Sequence, residues 1–187
     1  MKKTTFITQA AVIAALYVVL TLLANALGLA NYAVQVRFSE ALTILPFFPP
    51  AAIPGLFVGC IISNVLGGCI LWDIILGSIA TLIGAIGTYL IAHASPKKAE
   101  ASTDQNTNPL SDRDADSARG YENHSSLVRE ICCTLPPIAA NTIIVPFVLA
   151  YAYHFEGVPF FMLTVGAGEI ISCGILGFLL LKVLKKY

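Results

Sequence analysis

The sequence predicts an all-α integral membrane protein: one domain, residues 1–187, of six transmembrane helices with a disordered cytoplasmic loop at 93–127. Three observations favour this fold class. The composition is 57% hydrophobic and 12% charged, and the mean hydropathy is +0.79, which is far too apolar for an ordinary soluble domain. Apolar runs recur near the length of roughly 20 residues that a helix needs to cross a bilayer. Most charges are confined to the two chain ends and one polar stretch.

Six apolar segments can be counted along the chain. The second is the shortest, and Pro46, Pro49 and Pro50 interrupt any regular helix there, so it is expected to be tilted or partly unwound. Irregular backbone at membrane depth persists only beside protein or a water-filled cavity, which makes this neighbourhood a candidate cavity. The segments span about 6–29, 38–48, 51–67, 72–92, 128–153 and 159–182.

The connection between the fourth and fifth segments sets the predicted orientation. Residues 96–126 are rich in Ser, Asn, Asp and Ala with almost no large apolar residue, so they are expected to be disordered. With six spans, both termini and this loop share one side, and ten of the eleven basic residues then face the cytoplasm. Arg37 is the exception to this positive-inside arrangement.

Several function classes lack the residues that they need. The chain has no GxxxxGK[ST] loop, no HExxH and no GxSxG, so neither ATP hydrolysis nor the common hydrolytic chemistries are predicted. Its five cysteines form no CxxC pair, and its three histidines predict no metal or haem site. Eleven basic residues balance eleven acidic ones, so no nucleic-acid partner is indicated. No enzyme activity, metal or cofactor is expected.

Polar side chains inside the predicted spans are the candidate binding residues, because such groups are costly in hydrocarbon unless paired, hydrated or facing a cavity. Arg37 and Glu40 are three residues apart and could instead pair with each other. Asp73 could serve a helix start, and Asn64 could satisfy backbone at a helix end. Glu169 has no basic neighbour in sequence, so it needs Arg37, a cationic ligand, a proton or hydrogen-bond donors. The set is Arg37, Glu40, Asn64, Asp73, Ser78, Asn141 and Glu169.

The first segment carries a different pattern. Ala10 and Ala14 lie on one helical face, with Ala11 and Ala15 beside them. Small residues four apart let two helices approach closely in lipid. The pattern predicts either internal packing or the docking of an external partner helix.

Four stretches of the sequence together resemble one known family. They are VRFSEALTILPFFPPAAIPGLFVGCIISNVLGG, WDIILGSIATLIGAIGTYLI, LPPIAANTIIV and VGAGEIISCGILG. The chain resembles the QueT family of queuosine-precursor transporters, and the resemblance covers nearly every apolar segment. The long polar connection at 96–126 is more extended than is expected of that family.

The resemblance implies a substrate-binding (S) subunit of an energy-coupling factor (ECF) transporter, with its six-helix bundle in the plasma membrane of a prokaryote. The expected partners are a transmembrane coupling subunit and two ATP-binding-cassette ATPases. The first helix, with Ala10, Ala11, Ala14 and Ala15, would dock on the coupling subunit.

The ligand implied by the resemblance is a 7-deazaguanine such as preQ1, preQ0 or queuine. A guanine-like edge presents two parallel donors that suit a carboxylate, its carbonyl needs a donor, and its flat ring can stack on an aromatic side chain. The implied roles are donor-edge recognition by Glu169 or Glu40, carbonyl recognition by Arg37, Asn64 or Asn141, stacking by Phe38, Phe47, Phe48, Trp72 or Tyr151, and attraction of the preQ1 ammonium by Asp73.

Two alternatives stay open from the sequence. The chain could be an S subunit for another vitamin-like molecule, because one fold serves many ligands. It could also be a standalone proton-coupled carrier that uses its carboxylates as relay groups, which would require no ATPase partner.

Overall fold

A computed structural model describes residues 3–29, 37–94, 127–152 and 157–186. The polar stretch 95–126, with its predicted disorder, lies outside these residues. So do His124 and His154.

All regular elements in the described part of the chain are helical. Four helical stretches, some of which run through more than one of the elements named below, are long and apolar enough to cross a membrane. They are Lys3–Ala26, Leu71–His93, Leu127–Tyr151 and Val158–Lys186. These helices confirm the all-helical membrane class. Two further apolar helices are shorter, so the count of six spans stays a prediction. The elements are α1 (Lys3–Ala26), a 3₁₀ helix (Phe38–Phe47), α2 (Ala52–Leu66), α3 (Leu71–His93), α4 (Leu135–Ala152), α5 (Val158–Glu169), a π-helix (Ile170–Gly177) and α6 (Phe178–Lys186).

The second predicted segment forms a tight helix of the 3₁₀ type. It runs for ten residues, Phe38–Phe47, and contains Pro46. Proline has no amide hydrogen and its ring clashes with the preceding turn of an α-helix, while Pro49 and Pro50 end the element. Runs of 3₁₀ helix beyond three or four residues are uncommon. The element buries Glu40 together with most of its apolar residues.

The last long helix widens where it leaves Glu169. Residues Ile170–Gly177 form a π-helix between α5 and α6. Such expanded turns are rare and frequently lie at functional sites. The π-helix packs against the 3₁₀ helix, and the two unusual elements meet where Ser172 and Cys173 are buried.

Helices α1 and α2 meet through small residues. A Cβ atom placed on Gly55 would lie 2.7 Å from the Ala10 carbonyl oxygen. One placed on Gly59 would lie 3.0 Å from the Ala14 carbonyl oxygen and 2.8 Å from the Tyr17 Cβ. Ala10 and Ala14 therefore face α2, which accounts for these two alanines by internal packing. Ala11 and Ala15 are exposed.

A charged cluster ties several helix ends together at the opposite end from Arg37. Glu130 is buried and forms ion pairs with Lys182 at 3.0 Å and Lys185 at 2.6 Å. The Lys185 ammonium also lies 4.6 Å from the centre of the Phe47 ring. Arg129 donates to the carbonyl oxygens of Ile91 and Ala94 where α3 ends. The charged residues that flank the spans thus fasten α3, α6 and the 3₁₀ helix to one another.

Candidate functional site

Glu40 lies at the centre of a buried polar cluster. Its side chain is 1% exposed. The Tyr17 hydroxyl donates to Glu40 Oε1 at 2.5 Å, and Asn141 Nδ2 donates to Glu40 Oε2 at 3.4 Å. Three elements, α1, the 3₁₀ helix and α4, therefore meet at this carboxylate.

Glu169 brings a second carboxylate to the same place. The Cys173 thiol lies 3.2 Å from Glu169 Oε2 and 3.3 Å from the Glu40 carbonyl oxygen, either of which can accept its proton. Thr43 Oγ1 lies 3.4 Å from the same sulfur. Tyr17, Glu40, Asn141, Glu169 and Cys173 are called the central cluster below.

The two carboxylates of the central cluster are close enough to interact strongly. One oxygen of Glu40, one of Glu169 and the Cys173 sulfur lie within 4.8 Å of one another. At roughly 4 Å, two like charges repel by about 4 kcal/mol at an effective dielectric constant of about 20. The arrangement thus favours any cation placed between the carboxylates.

Arg37 stands at the edge of the site. It is half-buried, it immediately precedes the 3₁₀ helix, and its carbonyl oxygen accepts the Glu40 amide at 3.1 Å. Its guanidinium interacts electrostatically with Asp73, Tyr17 and Glu40. It makes no ion pair or side-chain hydrogen bond with another described residue. The simple Arg37–Glu40 pair that the spacing allowed is absent from this part of the chain, since Glu40 bonds Tyr17 and Asn141 instead.

Asn64 and Asp73 form a second polar group beside the central cluster. A Cβ atom placed on Gly77 would lie 3.4 Å from Asn64 Nδ2 and 3.6 Å from Asp73 Oδ1, so both side chains converge over this glycine. Asn64 Nδ2 also lies 3.5 Å from the Cys60 sulfur. Asp73 is in the first turn of α3, where a carboxylate is favoured by the helix dipole. The positions of Asn64 and Asp73 are compatible both with ligand binding and with support of a helix end.

Trp72 lies elsewhere. Its side chain is 56% exposed, and it lines an apolar cleft of about 450 Å³ between α3 and α4. The predicted stacking role would therefore require the ligand to reach beyond the buried carboxylates. The cleft is lined by Trp72, Leu76, Ile143, Ile144, Phe147, Val148 and Tyr151.

Sequence reasoning missed Tyr17 and Cys173. Tyr17 is 1% exposed in the middle of an aliphatic helix, and a buried tyrosine hydroxyl usually needs a hydrogen-bond partner. That signal was available from its position in the first span. Cys173 carried no such signal, because its contacts depend on the π-helix that follows Glu169.

A bundle of apolar helices around buried carboxylate, amide and hydroxyl groups defines a multi-pass membrane protein with an internal polar cluster. Its sequence matches the family model described as QueT transporter over residues 7–186. The chain belongs to the QueT transporter family, and membership of a transporter family supports the expectation that it is not an enzyme.

One curated relative is the queuosine precursor transporter QueT of Lactococcus lactis subsp. cremoris (strain MG1363). It is 38% identical to the chain over 82 residues, which cover 43% of this chain and 47% of the relative. The aligned part thus spans about half of the relative's length. No solved structure matches the chain.

Proposed function

We propose that this chain is the S subunit of an ECF-type importer for a queuosine precursor, a 7-deazaguanine such as preQ1, preQ0 or queuine. The observation that carries the proposal is the pair of buried carboxylates, Glu40 and Glu169, beside an amide and a guanidinium in a QueT-family chain. The Lactococcus relative bears the name of such a transporter.

The unused hydrogen-bonding capacity of the central cluster suits a guanine-like edge. Glu40 already accepts bonds from Tyr17 and Asn141. The Cys173 thiol, a weak donor, bonds Glu169, which shares the Asn141 amide with Glu40. A carboxylate has about four acceptor positions when ionised, so Glu169 retains more capacity than Glu40 for N–H donors of the ligand. Arg37, whose side-chain donors are unused within the described residues, is assigned to the ligand carbonyl.

The energy source is proposed to lie in partner subunits. The sequence has no P-loop, so the proposed importer draws its energy from the ATPases of an energy-coupling module, joined to the chain through a transmembrane coupling subunit. The proposed setting is the plasma membrane of a prokaryote, with both termini cytoplasmic.

The test is calorimetric titration of the purified protein in detergent with preQ1, preQ0, queuine and guanine. We expect one deazapurine to bind more tightly than guanine. Absence of heat from all four ligands, with protein shown to be folded by circular dichroism, would contradict the proposal and favour another vitamin-like ligand. Uptake into vesicles that lack any ATPase would instead support the proton-coupled carrier.

The docking surface predicts a second, separable result. Ala11 and Ala15 are the exposed members of the alanine group, so Ala15→Phe should obstruct the close approach of a partner helix. We expect this change to abolish co-purification with the coupling module and to leave ligand affinity within about twofold, since Ala15 is exposed whereas the central cluster is buried.

The matched control is Leu16→Phe. Leu16 is also exposed on α1, about 100° around the helix from Ala15. The control should retain the complex. If both variants retain it, the partner surface is not on this face of α1.

A further inference from the structure

The central cluster contains more negative than positive groups. Glu40 and Glu169 are 1% and 5% exposed, and Asp73, which interacts with Arg37, is 7% exposed. Arg37 is the one cation recorded near them in the described chain, and Asp73 is the first of its electrostatic partners. A single guanidinium thus faces three carboxyl groups. A buried charge left without compensation is strongly unfavourable.

The titratable groups that face the carboxylate pair come from α1, α2, the π-helix and the residue before the 3₁₀ helix, while α4 supplies the neutral Asn141. No second cation is among them in the described residues. They are Tyr17, Cys60, Cys173 and Arg37, and Asp73 on α3 interacts with Arg37.

Hydrogen bonds distinguish the two carboxyl groups. Glu40 accepts a hydroxyl and an amide donor, and donors of this kind favour an ionised carboxylate. Glu169 has the thiol of Cys173, a weak donor, and shares the Asn141 amide with Glu40. Where two carboxyl groups share a buried site, one of them tends to keep its proton. The Tyr17 hydroxyl therefore favours a charge on Glu40 over a charge on Glu169.

We infer that the empty site holds one proton on Glu169 and that a ligand carrying a protonated amine displaces it. Glu169 then changes from a carboxylic acid to a carboxylate that faces the ligand ammonium, and one proton leaves to solvent. The site thereby exchanges one cation for another, whereas a neutral ligand would leave the proton in place. The ligand half of this inference rests on the proposed function.

The proton can be observed without any ligand. Infrared spectroscopy of the folded protein at neutral pH should show the C=O stretch of a protonated carboxyl group. Glu169→Gln should remove this band, and Glu130→Gln, which alters a buried glutamate at the other end of the molecule, should leave it. Absence of the band in the unaltered protein, or its persistence in Glu169→Gln, would overturn the inference.

A second variant protects this test against a folding failure. Cys173→Ala removes the thiol donor to Glu169 and retains both carboxyl groups. The band should therefore shift in frequency and keep its intensity. An unshifted band would place the proton on a different carboxyl group and would equally overturn the inference.

The exchange itself is measured by titrating preQ1, a cation, and preQ0, which is neutral, in two buffers of different ionisation enthalpy. We expect about one proton released with preQ1 and none with preQ0, and a preQ1 affinity that falls up to about tenfold per pH unit on acidification. Binding of a deazapurine without the infrared band or without proton release would overturn this inference and leave the proposed function intact. The band without binding of any deazapurine would support the proton on Glu169 and contradict the proposed function, together with the ligand exchange that rests on it.

Discussion

Replacing Glu40 by glutamine is expected to weaken binding of the queuosine precursor by about 10- to 100-fold. The change removes the charge that accepts hydrogen bonds from Tyr17 and Asn141 and that faces Arg37. Hydrogen bonds to charged groups contribute about 1.5 to 3 kcal/mol, and each 1.4 kcal/mol is about tenfold in affinity. Calorimetric titration of the variant against the unaltered protein measures the loss.

Glu130→Gln is the matched control for this result. Glu130 is also a buried glutamate, but its partners are Lys182 and Lys185 at the other end of the bundle. The control should lower thermal stability and leave ligand affinity unchanged. Equal losses of affinity in the two variants would mean that Glu40 acts through folding and not through the ligand.

Gly84→Ala is expected to destabilise the contact between α3 and α4. The added Cβ would lie 2.7 Å from the Pro137 Cα and 2.9 Å from its Cβ, so a backbone has to move. Overpacking of this kind costs about 1 to 3 kcal/mol. Alanine otherwise favours a helix over glycine by up to about 1 kcal/mol, so a net loss has to come from the contact. The midpoint of thermal unfolding in detergent should fall.

Gly174→Ala provides the comparison. Its added Cβ would meet only the ends of flexible side chains, Ile170 Cγ2 at 3.7 Å and Ile138 Cδ1 at 4.0 Å. We expect an unchanged or slightly higher midpoint. If Gly84→Ala is as stable as Gly174→Ala, then the two helices do not depend on the close approach at Pro137.

The fold was predictable wherever one physical signal dominated. Length and hydropathy were sufficient for the long helices, because an apolar run of that size has few alternatives in water or lipid. Gly55 and Gly59 in GLFVG are four residues apart, as are Ala10 and Ala14. These two matching pairs of small residues were a sequence signal for the contact between α1 and α2. The π-helix was not predictable, since no residue pattern in IISCGILG separates it from an ordinary helix.

The candidate site was predicted in part. Glu40, Asn141 and Glu169 were selected because polar groups in hydrocarbon need partners, and the structure brings these three together. Their pairing was beyond the sequence, because it depends on contacts between residues more than 100 positions apart. Trp72 was selected only because its aromatic ring could stack on a ligand. An aromatic ring packs equally well against the apolar side chains of a cleft, which is where Trp72 lies. The ligand roles of all seven candidates stay predictions.

The ten-residue helix at Phe38–Phe47 changes how far a short stretch of chain can reach. A 3₁₀ helix advances about 2.0 Å per residue, against about 1.5 Å in an α-helix. Ten residues therefore extend about 20 Å along their axis, roughly two thirds of a hydrocarbon layer about 30 Å thick. A 3₁₀ helix is also narrower than an α-helix, and its side chains three residues apart lie directly above one another. A topology prediction that requires at least about 20 residues per span misses such an element. Here the missed element carries Glu40, the carboxylate at the centre of the site.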